Sequence, residues 1–214
     1  MRYLSWLARF ALQPKQNDEW YRSLFSPRKR HLAVGEITPG YAILPESGIE
    51  HVKRFAPQAK LIYIMRDPVS RALSNRRMAL EKIQNRGREF SKEDWFGDLM
   101  TRPTEQDHSR YDLIVPKWEK HFKSKILFLF HDNIGDGEEC LKNICSHLGV
   151  NFDNQYFPKR GARIAPTKAI EIPGEVREAY ARHYRGTIEW AAKRFGMPAE
   201  RWLVENEALL ADAK

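Results

Sequence analysis

The sequence predicts an α/β fold, a mostly parallel sheet flanked by helices, and two observations carry that expectation. Two short runs, residues 60–65 (Lys-Leu-Ile-Tyr-Ile-Met) and 126–130 (Ile-Leu-Phe-Leu-Phe), are apolar without alternation. Strands covered on both faces read that way. Around and between them lie stretches with apolar residues at helical spacing, so strands and helices take turns along the chain. In such sheets ligands bind beyond the C-terminal ends of the strands, which draws the eye to Arg66.

The elements follow in order. Trp6, Leu7 and Phe10 sit at helical spacing. Residues 19–25 predict a second short helix with Trp20, Leu24 and Tyr21 facing inward, ended by Ser26, Pro27 and the basic cluster Arg28, Lys29 and Arg30. Residues 32–36 predict a short strand, and Thr38, Pro39 and Gly40 a turn. Residues 49–55 predict a helix stopped by Pro57. After the strand at 60–65, Asp67 is a good N-cap and Pro68 a good first helical residue, so a helix is expected over 69–83. Further helices are expected over 91–100 and over 109–122, the latter kinked by Pro116. Residues 138–148 place Leu141, Ile144, Cys145 and Leu148 on one helical face, with Gly149 as the stop. Residues 151–172 read as irregular, 174–195 as a long helix, and 199–210 as a last helix beyond the Gly196-Met197-Pro198 break.

The chain has 214 residues, which predicts a single domain over 1–214, and neither a repeat nor a linker divides it. A chain of this size needs no disulfide or metal to hold a core. With 42% hydrophobic and 30% charged residues, it is neither collagen-like, nor a coiled coil, nor wholly disordered. Its apolar runs fall far short of the ~18 residues of a membrane span. Lys and Arg number 36 against 28 Asp and Glu, a formal charge of +8, which favours anionic partners without choosing among them. No helix-turn-helix, zinc-finger or RNA-sheet motif is present, so nucleic acid is not an expected partner. Cys140 and Cys145 form neither a disulfide framework nor a zinc spacing and read as small apolar side chains.

Residues 35–41 begin like a phosphate-cradling glycine loop. Tyr41 and Ala42 stand where Lys and Ser or Thr are needed, and Pro39 removes a backbone donor, so a nucleoside-triphosphate loop is rejected. Residues 132–137 faintly suggest a calcium loop, but Ile134 and Asn143 occupy ligand positions, which leaves a surface turn. The seven histidines form no ligand cluster and no G-x-S-x-G occurs, so no metal or serine triad is expected. The most informative stretch is 66–74. Arg66 ends a buried strand and Ser74 lies about two turns along the next helix. Both can face one anion, Arg66 with a planar fork of donors and Ser74 with a hydroxyl, near a favourable helix N-terminus. From spacing alone, Arg66 as a cap on the sheet and Ser74 as a surface residue is an equal reading.

At these residues the sequence resembles the sulfotransferase family that uses 3′-phosphoadenosine 5′-phosphosulfate as donor, above all its glycan-directed and bacterial branch. Arg66, Asp67, Pro68, Arg71 and Ser74 match the family's R-[DN]-P-x-x-R-x-x-S motif in full. The resemblance gives Arg66 and Ser74 the donor's 3′-phosphate. Gly35, Glu36, Thr38, Pro39 and Tyr41 are similar to the family's G-E-K-[ST]-P-x-Y segment, with Ile37 in place of the Lys. Ser109, Tyr111 and Trp118 match its S-x-Y…W helix, and Lys159, Arg160 and Gly161 resemble the basic loop that closes over the nucleotide. Residues 178–202 resemble its terminal helices. The family's first strand and its Lys-containing 5′-phosphosulfate loop would precede Met1.

The resemblance implies a three-layer sulfotransferase domain related in architecture to P-loop kinases, N-terminally incomplete. The expected reaction moves a sulfuryl group to a hydroxyl or amine of a carbohydrate-type acceptor, leaves 3′-phosphoadenosine 5′-phosphate, and requires no metal. Glu36 is the candidate base, with a structural carboxylate as the equal alternative, and Tyr41 either borders the acceptor or packs on the sheet. Residues 151–172 carry none of the cysteines that Golgi members of the glycan branch have there, which suggests a bacterial-type cytoplasmic enzyme. The alternative is a catalytically incomplete module that binds nucleotide or acidic glycan.

Overall fold

The structure, a computed structural model, describes residues 17–25, 32–97, 107–134, 137–157 and 170–211. The elements at its centre are β1 (Leu61–Met65) and β2 (Ile126–Phe130), which pair in parallel and in register from Leu61 opposite Ile126 to Met65 opposite Phe130. Parallel neighbours need a crossover. Here it comprises α3 (Pro68–Gln84), the short α4 (Glu93–Phe96) and α5 (Tyr111–Phe122). Ahead of β1 lie α1 (Asp18–Leu24), a 3-10 turn (Pro39–Ile43) and α2 (Glu46–Phe55). After β2 come α6 (His131–Ile134), α7 (Glu138–Leu148), α8 (Gly174–Phe195) and α9 (Ala199–Ala211).

Side chains alternate along a strand, so Leu61, Tyr63 and Met65 share a face with Ile126, Phe128 and Phe130. That face holds the core. Met65, Tyr63, Phe128 and Phe130 meet Val69, Leu73 and Leu80 of α3, Val115 of α5, and Tyr180, Tyr184 and Ile188 of α8. Phe130 meets Phe195 edge to face and Trp202 at a tilt, at 5.7 and 5.4 Å between ring centres. Toward the start of the strands, Leu61 and Ile126 meet Ile49 of α2 with Ile114, Trp118 and Phe122 of α5. On the opposite face α7 packs against β2, with Cys145 buried. There Ile62 and Ile64 of β1 remain 37% and 52% exposed.

The strands expected at 60–65 and 126–130, and the helices over 69–83, 138–148, 174–195 and 199–210, are present. Gly149 ends α7 at φ 78°, with Val150 N–H returning to the Cys145 carbonyl at 2.9 Å, the closure only a left-handed residue permits. α5 runs on through Pro116. Three expectations are corrected. Residues 32–36 form no strand, because Leu32 and Val34 stand exposed and, among the described residues, no neighbouring strand takes up their backbone. The helix expected from 91 spans only Glu93–Phe96 before Gly97 turns out at φ 49°. β1 is covered on one face rather than both. The helix around Trp6, Leu7 and Phe10, and the Arg28–Arg30 cluster, lie outside the described residues. Among the described residues no helix is long and apolar enough to cross a membrane.

Because Leu80 is fully buried between α3 and the core, Leu80→Ala will cost about 2–5 kcal/mol. Val204→Ala, at a side chain 66% exposed, will cost under about 0.5 kcal/mol. Urea denaturation of both variants checks the contrast, and equal losses would contradict this core.

Candidate functional site

β1 ends at Met65 and Arg66 follows at its C-terminal end. The Tyr111 hydroxyl donates to the Arg66 carbonyl at 2.8 Å and accepts from the Arg66 N–H at 3.2 Å. Both backbone groups that leave the sheet are therefore satisfied by one side chain. Tyr111 is 1% exposed, and burial pushes its phenol up to about 12, so the hydroxyl keeps its proton and its donor role. Asp67 then turns the chain. Its carboxylate accepts from the Ser70 N–H at 2.7 Å and Pro68 opens α3. Ser74 lies about two turns along that helix, half-buried like Arg66. Among the described residues no hydrogen bond joins the Arg66 and Ser74 side chains.

Arg71, between them, donates from one guanidinium N–H to the Ser109 hydroxyl at 3.2 Å. Ser109 is wholly buried, and its N–H donates to Asp107 at 2.8 Å. The other oxygen of Asp107 accepts from the Tyr184 hydroxyl at 2.7 Å. The segment that delivers Tyr111 is thus fastened to α3 on one side and α8 on the other. Burial, then the Asp107 charge, push the Tyr184 phenol up. A second tie runs from Arg110 to Asp112 at 2.9 and 2.6 Å, with the Thr187 hydroxyl on Asp112 at 2.7 Å. Burial works against the Asp112 charge, yet Arg110 and Thr187 hold its carboxyl below the usual carboxylate range.

Glu36 and Tyr41 come together through a third residue. The Tyr21 hydroxyl donates to Glu36 and lies 3.1 Å from the Tyr41 hydroxyl, and the Thr38 hydroxyl donates to the other Glu36 oxygen at 3.4 Å. Burial, then the bonds to Glu36, push the Tyr21 and Tyr41 phenols up. Tyr21 is held on α1 by the rings of Phe25 and Phe55, at 4.9 and 5.2 Å. Glu36 is exposed in an irregular segment, not at a strand end. Tyr41 is half-buried and packs on the cluster around Ile49 and Phe122. Trp118 fixes this segment by donating to the Ala42 carbonyl at 3.3 Å. Tyr21 was legible only as an inward aromatic of a short helix, since nothing local links it to residue 36. Lys159, Arg160 and Gly161 lie outside the described residues.

Chemically, the β1 end offers a planar cation, a hydroxyl and a helix N-terminus, the components of an anion site. The 36–41 cluster offers a carboxylate with two hydroxyl donors. Glu46, Glu50 and His121 also bring ligand atoms within 4.8 Å of one another. The Lys120 ammonium already sits 2.6 Å from Glu46, so a cation occupies that carboxylate.

The profile described as "Sulfotransferase family" matches residues 15–154. The fold is similar to that of a crystal structure of a sulfotransferase from Alicyclobacillus acidocaldarius, with a TM-score of 0.59 and 16% identity over 91% of this chain and 77% of that one. No curated protein matches the sequence.

Tyr111→Phe keeps the ring and strands both Arg66 backbone groups. It will destabilise the fold by about 1–3 kcal/mol in urea titrations, the cost of buried polar groups left unpaired. An unchanged midpoint would contradict the clamp.

Proposed function

The chain belongs to the sulfotransferase family, and on that premise we propose that it moves a sulfuryl group from 3′-phosphoadenosine 5′-phosphosulfate to a hydroxyl or amine of a carbohydrate-type acceptor. The observation that carries this reading is Arg66, fixed at the end of β1 by Tyr111 and followed by the capped helix that bears Ser74. Arg66 grips the donor's 3′-phosphate through its guanidinium fork and Ser74 adds a hydroxyl donor. Lys159, Arg160 and Gly161 cover the nucleotide, with two charges and a residue that lets backbone approach closely.

The reaction parallels phosphoryl transfer. The acceptor oxygen or nitrogen attacks sulfur in line, the bond to the 5′-phosphate breaks, and its electron pair leaves on 3′-phosphoadenosine 5′-phosphate. Catalysis comes mainly from positioning and from cationic stabilisation of oxygens, without a metal. Glu36 takes the acceptor's proton and Tyr41 borders the acceptor. Their common hydrogen-bonded cluster with Tyr21 supports that pairing. We place this chemistry in a single three-layer domain over 1–214, related to P-loop kinases, in a cytoplasmic enzyme.

Calorimetric titration with 3′-phosphoadenosine 5′-phosphate tests the donor site. Arg66→Ala will weaken binding ~10–100-fold, the worth of charge-assisted hydrogen bonds. Ser74→Ala will weaken it less. Equal affinity in native chain and Arg66→Ala would overturn the reading.

A further inference from the structure

α3 carries three arginines, and two of them are engaged. Arg71 donates to Ser109, and Arg76 donates from Nε to the Asp94 carbonyl. Arg77 differs. Its Nε is sealed from solvent, and among the described residues neither a hydrogen bond nor an ion pair engages it. Buried guanidinium donors without an acceptor are rare in folded proteins and point to an oxygen that arrives with water or ligand.

The position of Arg77 says which ligand. At ~100° per residue, Ser70, Ser74 and Arg77 fall within an arc of about 60° on α3, beside the buried stripe of Val69, Leu73 and Leu80. Helical side chains lean toward the helix N-terminus. A long side chain at 77 therefore covers the turn that holds Ser74 and extends toward the β1 end, where Arg66 stands. A phosphate monoester brings three acceptor oxygens and up to two negative charges. Arg66 supplies one cation and Ser74 a neutral donor, which leaves acceptor capacity for a cation from α3.

We propose that Arg77 is a third ligand of the phosphate held by Arg66 and Ser74, swinging its guanidinium onto that group when the nucleotide binds. This rests on the donor-site reading above. The test titrates the full chain, Arg77→Gln, Arg77→Lys and Arg66→Ala with 3′-phosphoadenosine 5′-phosphate and, separately, with adenosine 5′-phosphate, which lacks the 3′-phosphate. Arg77→Gln is expected to bind the bisphosphate ~10-fold more weakly and adenosine 5′-phosphate within about 2-fold of the native chain. Arg77→Lys, which keeps the charge and the stem, is expected to recover part of that loss. Native affinity in Arg77→Gln beside a clear loss in Arg66→Ala would overturn the role of Arg77 and leave the donor site standing. An equal loss for both nucleotides in Arg77→Gln would mark a structural residue and overturn it as well. A native chain that binds neither nucleotide would overturn the donor site itself, and this inference with it.

Discussion

The hydroxyl of Tyr111 closes the end of β1. A strand that stops inside a protein leaves a backbone N–H and a carbonyl to be satisfied, and at Arg66 a single buried oxygen serves both. Much else is arranged around that atom. Asp107 and Ser109 fix the segment that delivers Tyr111, and Tyr184 and Arg71 fix those two in turn. Arg66 leaves the sheet in one direction, with the capped start of α3 immediately after it.

α5 joins the two halves of the site. Tyr111, Ile114, Val115, Trp118 and Phe122 repeat at helical spacing and form its buried face. Tyr111 at one end holds the Arg66 backbone, and Trp118, two turns on, holds the Ala42 carbonyl beside Tyr41. A single helix therefore fixes both the end of β1 and the Glu36–Tyr41 segment. The Tyr21 hydroxyl then binds that segment to α1, where Phe25 and Phe55 hold its ring.

What was legible in the sequence, and what was not, follows from which forces are local. β1 and β2 announce themselves as unbroken apolar runs, and α3 by Asp67 and Pro68, because burial and capping act within a few residues. Residues 32–36 begin with a short apolar run like a strand, but a strand needs a partner, and among the described residues none takes up Leu32 and Val34. Ile62 and Ile64 look like core by composition and stand exposed, since composition does not say how many faces of a sheet are covered. Arg66 and Ser74 were visible as a motif. The groups that fix the Arg66 backbone and the Ala42 segment were only half visible: Ser109, Tyr111 and Trp118 as a family pattern without a stated task, and Tyr184 as part of a helix. Their contacts cross from 38 to 77 residues of chain, beyond the reach of any local pattern.

The central claim is that Tyr111 serves the anion site through Arg66. A double-mutant cycle on affinity for 3′-phosphoadenosine 5′-phosphate tests it most directly, with Tyr111→Phe, Arg66→Ala and the pair together. If Tyr111 acts by fixing Arg66, Tyr111→Phe weakens binding in the native chain and adds nothing once the Arg66 side chain is gone. Fully additive losses would mean that the two residues act independently, and would contradict the account.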